Sequence, residues 1–363
     1  MKIALIGEYS GFHTNLRDGL NELGHNVVSI SDGDGFKNFE RDINLKSNNK
    51  NKYLRVLDYI KKVGFDINYI KDYDIIQFIN PIIPPFLNLN INKYFINKLI
   101  NNNKSSFLVC AGDDALVWDY WESGNNENLR YSWIKGTIKD YIAENALPYW
   151  ENENILLWNK ELIKEVNGII PIMYEYFRPY SQFIDKVRAI PIPINLDKIK
   201  FSENKVKNKL IIFHGLNRYF AKGTNYVEKA FDILKSKYPN DLELIIAGKL
   251  TYNEYTNIIK DTNVIIDQVL SYSMGMNGLN SLAMGKILLG GNEKENNDLL
   301  GYEFNPVINI TPDVKTIVTS IERVLDEKHL IAEKSYESRQ FVETYHNHVD
   351  VSQKYIDFWL KKL

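Results

Sequence analysis

Apolar residues in this chain recur in two rhythms. Ile3–Ile6 is a short continuous run, as expected of a parallel strand buried on both faces. Leu16, Leu20 and Leu23 then give a helix one apolar stripe, Gly24 stops it, and Val27-Val28 opens the next strand. The unit is βαβ, which implies a right-handed crossover and a parallel sheet. Tyr53, Val56, Leu57, Ile60 and Val63 form a second helical stripe. Ile75–Ile79 and Phe107–Cys110 read as strands, followed by two short ones, Ile169–Ile172 and Ala189–Pro193.

The texture changes near residue 193, where prolines give way to a lysine-rich polar stretch, Lys198–Lys209, the best linker candidate. A second alternating series follows. Leu210–Phe213, Leu242–Ala247, Val264–Ile266 and Ile287–Leu289 are strands. Val227, Ala230, Phe231 and Leu234 mark one helix, and Val314, Ile317, Val318 and Ile321 another. The tail from Ser352 reads as a final helix carrying Trp359. The pattern predicts an α/β protein with two parallel domains, at 1–195 and 196–345, and a C-terminal helix within 346–363.

Composition narrows the function classes. The 363 residues carry 44 Lys+Arg against 46 Asp+Glu, a net charge of −2. That balance argues against nucleic acid as a partner. Hydrophobic residues at 44% and charged residues at 25% exclude wholesale disorder. A single cysteine, Cys110, excludes an intrachain disulfide or a Cys-based zinc cluster and suits a reducing compartment. No stretch reaches the length of a bilayer span, and the run after Met1 is too short for a signal peptide. The expectation is a cytoplasmic protein. The abundance of Asn, Lys and Ile fits an AT-rich, bacterial genome.

Ligands of open parallel sheets bind beyond the carboxyl ends of the strands, so the loops there carry the candidate chemistry. The first, Gly7–His13, lacks the G-x-G-x-x-G spacing of dinucleotide folds. Gly11 still permits close backbone approach, and the following helix offers its positive end; a tight turn is the alternative. In Phe213–Thr224, Arg218 and Lys222 sit four residues apart between a strand end and a helix start. Together they would neutralise a diphosphate, although a Lys-Gly pair on a loop also suits a solvated turn. In Asp267–Lys286, Gly275 precedes a helix whose first N–H groups could hold an anion. A glycine-punctuated βαβ turn explains the same residues.

Five segments, in order, resemble those of bacterial GT-B glycosyltransferases of the family 4-like (group 1) type. They are Gly24-His25-Asn26-Val27, Asp74-Ile75-Ile76-Gln77, Ile192–Asp197, Asn217–Gly223 and Leu279–Lys286. The resemblance implies two Rossmann-like domains facing a cleft, with the C-terminal helix returning to the N-domain. It implies a nucleotide-sugar donor held by the C-terminal domain and a glycan or lipid-linked acceptor held by the N-terminal one. No cofactor and no obligatory metal are implied, because the basic pair and a helix N-terminus stabilise the leaving diphosphate. Arg218 and Lys222 fall at the phosphate-binding pair, with Asn217 at the strict arginine position. His214, Gly275, Met276 and Asn277 fall among the donor-binding loops. The family's two glutamates, seven residues apart, are replaced by Tyr272 and Asn280. Asn280 can still hydrogen-bond a ribose hydroxyl, whereas Tyr272 brings no charge; Asp267, Glu293 and Glu295 are candidate substitutes.

On the acceptor side, Asp113 and Asp114 follow a strand, where a carboxylate could orient an acceptor hydroxyl or act as a base; an Asx turn or helix cap is the alternative. His13 lies on the first loop and could reach the donor or acceptor. Trp118 and Trp121 open a tryptophan-rich stretch that continues through Trp133, Trp150 and Trp158. It suits either a sugar-stacking platform or core. Lys46, Lys50, Lys52, Arg55, Lys61 and Lys62 surround the helix at 53–63, as a membrane-docking face or a solvated one. His346 and His348 have no further ligands nearby in sequence, so a metal role is not expected. The leading expectation is a transferase of bacterial surface polysaccharide (capsule or lipopolysaccharide), retaining by fold analogy, acting in the cytoplasm and touching the inner membrane face. A GT-B-shaped, non-catalytic partner of an active transferase is the alternative.

Overall fold

A computed structural model of the chain describes residues 1–35, 37–64, 66–84, 88–122, 150–216, 218–220, 222–248 and 252–363. These fall into two compact units. The described residues of the first are 1–120, 150–195 and 347–363; those of the second are 121–122 and 196–346 with the gaps above.

The first unit holds a six-stranded sheet in the order β3-β2-β1-β4-β5-β6. The strands are β1 (Lys2–Ile6), β2 (Asn26–Ser31), β3 (Ile43–Asn44), β4 (Ile75–Phe78), β5 (Ser105–Cys110) and β6 (Gly168–Pro171). Every adjacent pair is parallel. From Ile3 to Ile6, and throughout β4, β5 and β6, every residue is buried, which is why these strands read as mainly apolar runs, with Gln77 and Ser105-Ser106 the polar residues in them. The accompanying helices are α1 (Phe12–Glu22), α2 (Lys52–Gly64), α3 (Leu89–Asn101), α4 (Ala115–Glu122), α5 (Glu153–Glu165) and α6 (Tyr174–Tyr180).

The C-terminal helix, α13 (His348–Lys362), belongs to this unit and packs on α1. It starts earlier than the apolar pattern indicates, because the Asn347 side chain caps it by accepting from Val349 N. Gly19 makes the close approach possible: a Cβ there would lie 2.3 Å from the His348 carbonyl oxygen. Phe107 meets Phe358 and Trp359 at ring distances of 5.9 and 6.1 Å.

The second unit holds a five-stranded parallel sheet, β11-β10-β9-β7-β8. In chain order its elements are β7 (Leu210–Gly215), α7 (Thr224–Lys237), β8 (Leu242–Ala247), α8 (Tyr252–Asp261), β9 (Val264–Ile266), α9 (Met276–Ala283), β10 (Ile287–Gly290), α10 (Lys294–Leu300), β11 (Ile308–Asn309), α11 (Val314–Asp326) and α12 (Ile331–Tyr345). Leu210, Ile212, Val264 and Ile266 of the sheet pack with Val227 and Phe231 of α7 and Ile317 and Ile321 of α11.

Two expectations fail. Residues 189–193 form no strand; Pro191 and Pro193 have no N–H to give a ladder, and Ile190 N to Pro171 O at 3.2 Å is the bond made there. The stripe on α2 does not face the core. Tyr53, Leu57 and Ile60 are 81%, 61% and 52% exposed, and the polar side of the helix turns inward instead.

Candidate functional site

Both sheets reverse their strand order beside their first strand. In the second unit, β7 leads through α7 to β8 on one side, and the chain returns through α8 to β9 on the other. The loops after β7 and β9 therefore diverge from neighbouring strand ends, the place where open α/β sheets hold ligands.

His214 ends β7. Its Nδ1 donates to Ile266 O at 3.0 Å, since a carbonyl can only accept, and its Nε2 accepts from the Thr224 hydroxyl at 2.9 Å. Burial, with Lys222 nearby, lowers its pKa to about 4, so the imidazole is neutral at physiological pH. Wholly buried with both nitrogens engaged, His214 ties the two strand ends and the start of α7 together. No atom of it is left to touch a donor.

The expected basic pair divides. Lys222 is buried and its Nζ lies 3.2 Å from Oδ1 of buried Asp267, while Val269 N donates to Lys222 O at 3.1 Å. The cation is neutralised locally and clamps one loop to the other. Arg218 is exposed. Asn217 lies outside the described residues.

After β9 the chain runs to Gly275, which begins α9 in an extended conformation with no side-chain cap. Asn277 is exposed, and Gly275, Met276 and Asn280 are half-buried. Gly278 sets the depth of the helix: a Cβ there would come within 3.0 Å of Asp267 Oδ2 and 2.9 Å of Leu288. Tyr272 is buried, its ring 6.0 Å from that of Trp121. Of the substitute acids, Asp267 is the partner of Lys222, and Glu293 accepts from Asn309 Nδ2 at 3.1 Å.

In the first unit the reversal lies between β1 and β4. Here the loop closes on itself. Glu8 is buried; Oε1 accepts from the backbone of Gly11 and His13, and Oε2 from the backbone and hydroxyl of Thr14, at 2.7 to 3.3 Å. Its carboxylate occupies the start of α1, where an anion would otherwise sit, and Gly11 supplies the left-handed turn (φ 88°) that brings it there. Gly11 therefore serves a cap and leaves no backbone donor for a ligand.

His13 is buried, with Nδ1 donating to Gly7 O at 2.7 Å and Nε2 facing Gln77 Nε2 at 3.2 Å. Burial lowers its pKa to about 4. Asp114 caps α4: Oδ1 accepts from Val117 N at 2.8 Å and Oδ2 from the Tyr180 hydroxyl at 2.7 Å. It is fully buried, and desolvation raises its pKa to about 6. Trp118 and Trp121 are 2% and 3% exposed, and Trp158 donates Nε1 to Pro81 O at 2.9 Å; all three are core rather than platform. Trp133 lies outside the described residues. Of the acceptor-side candidates, Asp113 keeps surface, being half-buried at the end of β5. Tyr9 stands among Asp32, Asp34, Asp113 and Asp114, and burial with these carboxylates pushes its hydroxyl pKa up.

No spacing in the sequence marks Glu8 or Thr224, and Asp267 is expected only as a substitute acid, not as the partner of Lys222. A signal did exist for Gln77: a polar residue inside a buried apolar strand must find a partner, and His13 is that partner.

No family model matches the chain, and no curated protein matches it by sequence. Solved structures do. Sucrose-phosphate synthase from Thermosynechococcus elongatus is similar at TM-score 0.63 and 13% identity, over 99% of this chain and 98% of that one. HepE from Anabaena in complex with UDP-glucose gives 0.59 at 10% identity, over the whole of both chains. UDP-GlcNAc 2-epimerase from Neisseria meningitidis bound to UDP-GlcNAc gives 0.53 at 12%, over 99% of this chain and 100% of that one. Such identities speak for architecture, and they agree with the two parallel sheets: the chain has the GT-B fold of two Rossmann-like domains.

Proposed function

We propose that the chain is a glycosyltransferase using a nucleotide-sugar donor held by the second unit. The observation that carries this reading is the whole-length likeness to proteins solved with UDP-glucose and UDP-GlcNAc. The strand-order reversal beside β7 supports it, because the start of α9, with Gly275 as its N-cap, lies on one of the two diverging loops.

In this reading the backbone N–H groups of Met276 and Asn277 and the exposed guanidinium of Arg218 take the diphosphate, and Asn280 takes a ribose hydroxyl. Lys222 holds the loop through Asp267 and adds no net charge. The departing phosphate accepts the acceptor's proton on the donor's front face, so the anomeric configuration is retained and no protein nucleophile is needed. Asp113 orients the acceptor hydroxyl. The acceptor is a glycan or lipid-linked saccharide of bacterial surface polysaccharide, and catalysis proceeds without a divalent metal.

A thermal-shift screen with UDP, GDP, CMP and their sugar conjugates tests donor binding. A ligand at about a hundredfold excess over its Kd stabilises by ~2.7 kcal/mol. UDP or UDP-sugars should raise the melting temperature in EDTA, and Arg218→Ala should make the shift smaller at the same ligand concentration. No response to any nucleotide would overturn the reading. Binding without donor hydrolysis or transfer would favour the non-catalytic alternative, which the replacement of the family's two glutamates by Tyr272 and Asn280 supports.

A further inference from the structure

Helix α2 is inside out. Its spacing places Tyr53, Val56, Leu57 and Ile60 on one stripe, and this stripe faces solvent at 81%, 37%, 61% and 52% exposure. Leu54, one step round, is also exposed. The polar side points to the protein: Asp58, Tyr59 and Lys62 are half-buried, and Lys62 Nζ donates to Lys46 O at 2.6 Å while pairing with Asp58. The far end is held by Asn68 and Lys98, which donate to Gly64 O at 2.8 and 3.2 Å. The helix is therefore anchored through polar bonds and presents its apolar face outward, against the usual arrangement of a surface helix. A contiguous exposed apolar stripe of this kind marks an interaction surface.

The charge around it names the occupant. Between residues 46 and 62 lie six cations (Lys46, Lys50, Lys52, Arg55, Lys61, Lys62) and one anion, Asp58, a local net of +5 in a chain whose total is −2. Lys50, Arg55 and Lys61 are exposed beside the stripe. A second copy of the chain would bring the same cations against these and repel. An anionic lipid surface satisfies both features, taking the apolar side chains among its acyl chains and the cations among its headgroups. Tyr53 suits the boundary, with an apolar ring and a polar tip.

We propose that α2 is a membrane-docking helix that lies in the headgroup plane of an anionic bilayer. Docking needs no donor chemistry, so it stands or falls separately from the transferase reading.

Co-sedimentation of the full chain with phosphatidylcholine vesicles, with and without about one-third phosphatidylglycerol, tests the proposal. Binding should require the anionic lipid and weaken with salt. Leu57→Ser with Ile60→Ser should cut partitioning about tenfold or more. Lys61→Glu should cut it at least about fivefold, the loss expected for one surface cation. These side chains are exposed, so the variants should melt with the wild type. Failure of the wild type to sediment, or sedimentation of both variants at the wild-type level, overturns the proposal. So does a concentration-dependent dimer that the Leu57/Ile60 variant dissolves, which would assign the face to a second copy.

Discussion

The two sheets reverse their strand order at equivalent places, and the reversals are filled in opposite ways. Beside β1, the carboxylate of Glu8 sits on the first N–H groups of α1, and Asp32, Asp34, Asp113 and Asp114 surround Tyr9. Beside β7, a buried cation is matched by one carboxylate, and α9 begins without a side-chain cap. A helix end covered by its own carboxylate has no positive potential left for a phosphate; an uncovered one keeps it. Glu8 closes the first turn, whereas the N-cap of α9 is Gly275, which has no side chain to close it with.

The comparison breaks most readily at Lys222. Lys222→Ala leaves Asp267 charged and buried, and should cost ~3–5 kcal/mol in urea unfolding. Pairing Lys222→Met with Asp267→Leu should restore most of that. A loss below ~1 kcal/mol would mean that the pair does not bind the two loops together.

Acid sharpens the contrast next. His13 and His214, one at each reversal, have pKa values of about 4 against 6.5 ordinarily. The unfolded chain binds more protons between these values, so each costs stability, on the order of 3 kcal/mol, as pH falls from about 6.5 to 4. Asp114, in the first unit alone, acts in the opposite sense: its folded pKa of about 6 exceeds 3.8, so it lowers stability as pH rises through that window. Asp114→Asn should therefore steepen the loss of stability on acidification. An unchanged slope in unfolding series at pH 4 to 7 would count against the buried, desolvated carboxyl.

Glu8→Ala removes the acceptor for four donors at the start of α1 and should cost ~1–3 kcal/mol, measured by chemical denaturation. If the variant is as stable as the wild type, the closed state of the first loop does not depend on that carboxylate. The smallest effect on folding, within ~0.5 kcal/mol, should come from exposed Arg218→Ala. Donor affinity by calorimetry should nevertheless fall ~10–100-fold, the worth of a charge-assisted hydrogen bond. Wild-type affinity in this variant would remove Arg218 from the site.

The central strands were legible because parallel strands buried on both faces are mainly apolar, and Ile3–Ile6 and Val264–Ile266 show it directly. The two-residue strands β3 and β11 were not, since a pair of residues has no period to read. Helix α3 is not among the elements that the apolar pattern predicts, although Asn88 caps it, accepting from Asn90 N and Ile91 N. Among the site candidates, Asp114 and His13 had the residue types of chemistry but proved to be caps and ties. Their identity as such rests on partners far along the chain, Tyr180 at 66 residues and Gln77 at 64.

What the amino-acid order determined by itself was the alternation of strand and helix, and with it two parallel sheets, because periodicity and glycine punctuation act over a few residues. What the tertiary structure decided was which charges are spent on each other. Lys222 and Asp267 stand 45 residues apart and meet because β7 and β9 are neighbours in the sheet. It also decided which side of α2 faces water: a stripe of apolar residues fixes that a helix is amphipathic, while only the polar anchors at Lys46 and Gly64 determine that the stripe points outward.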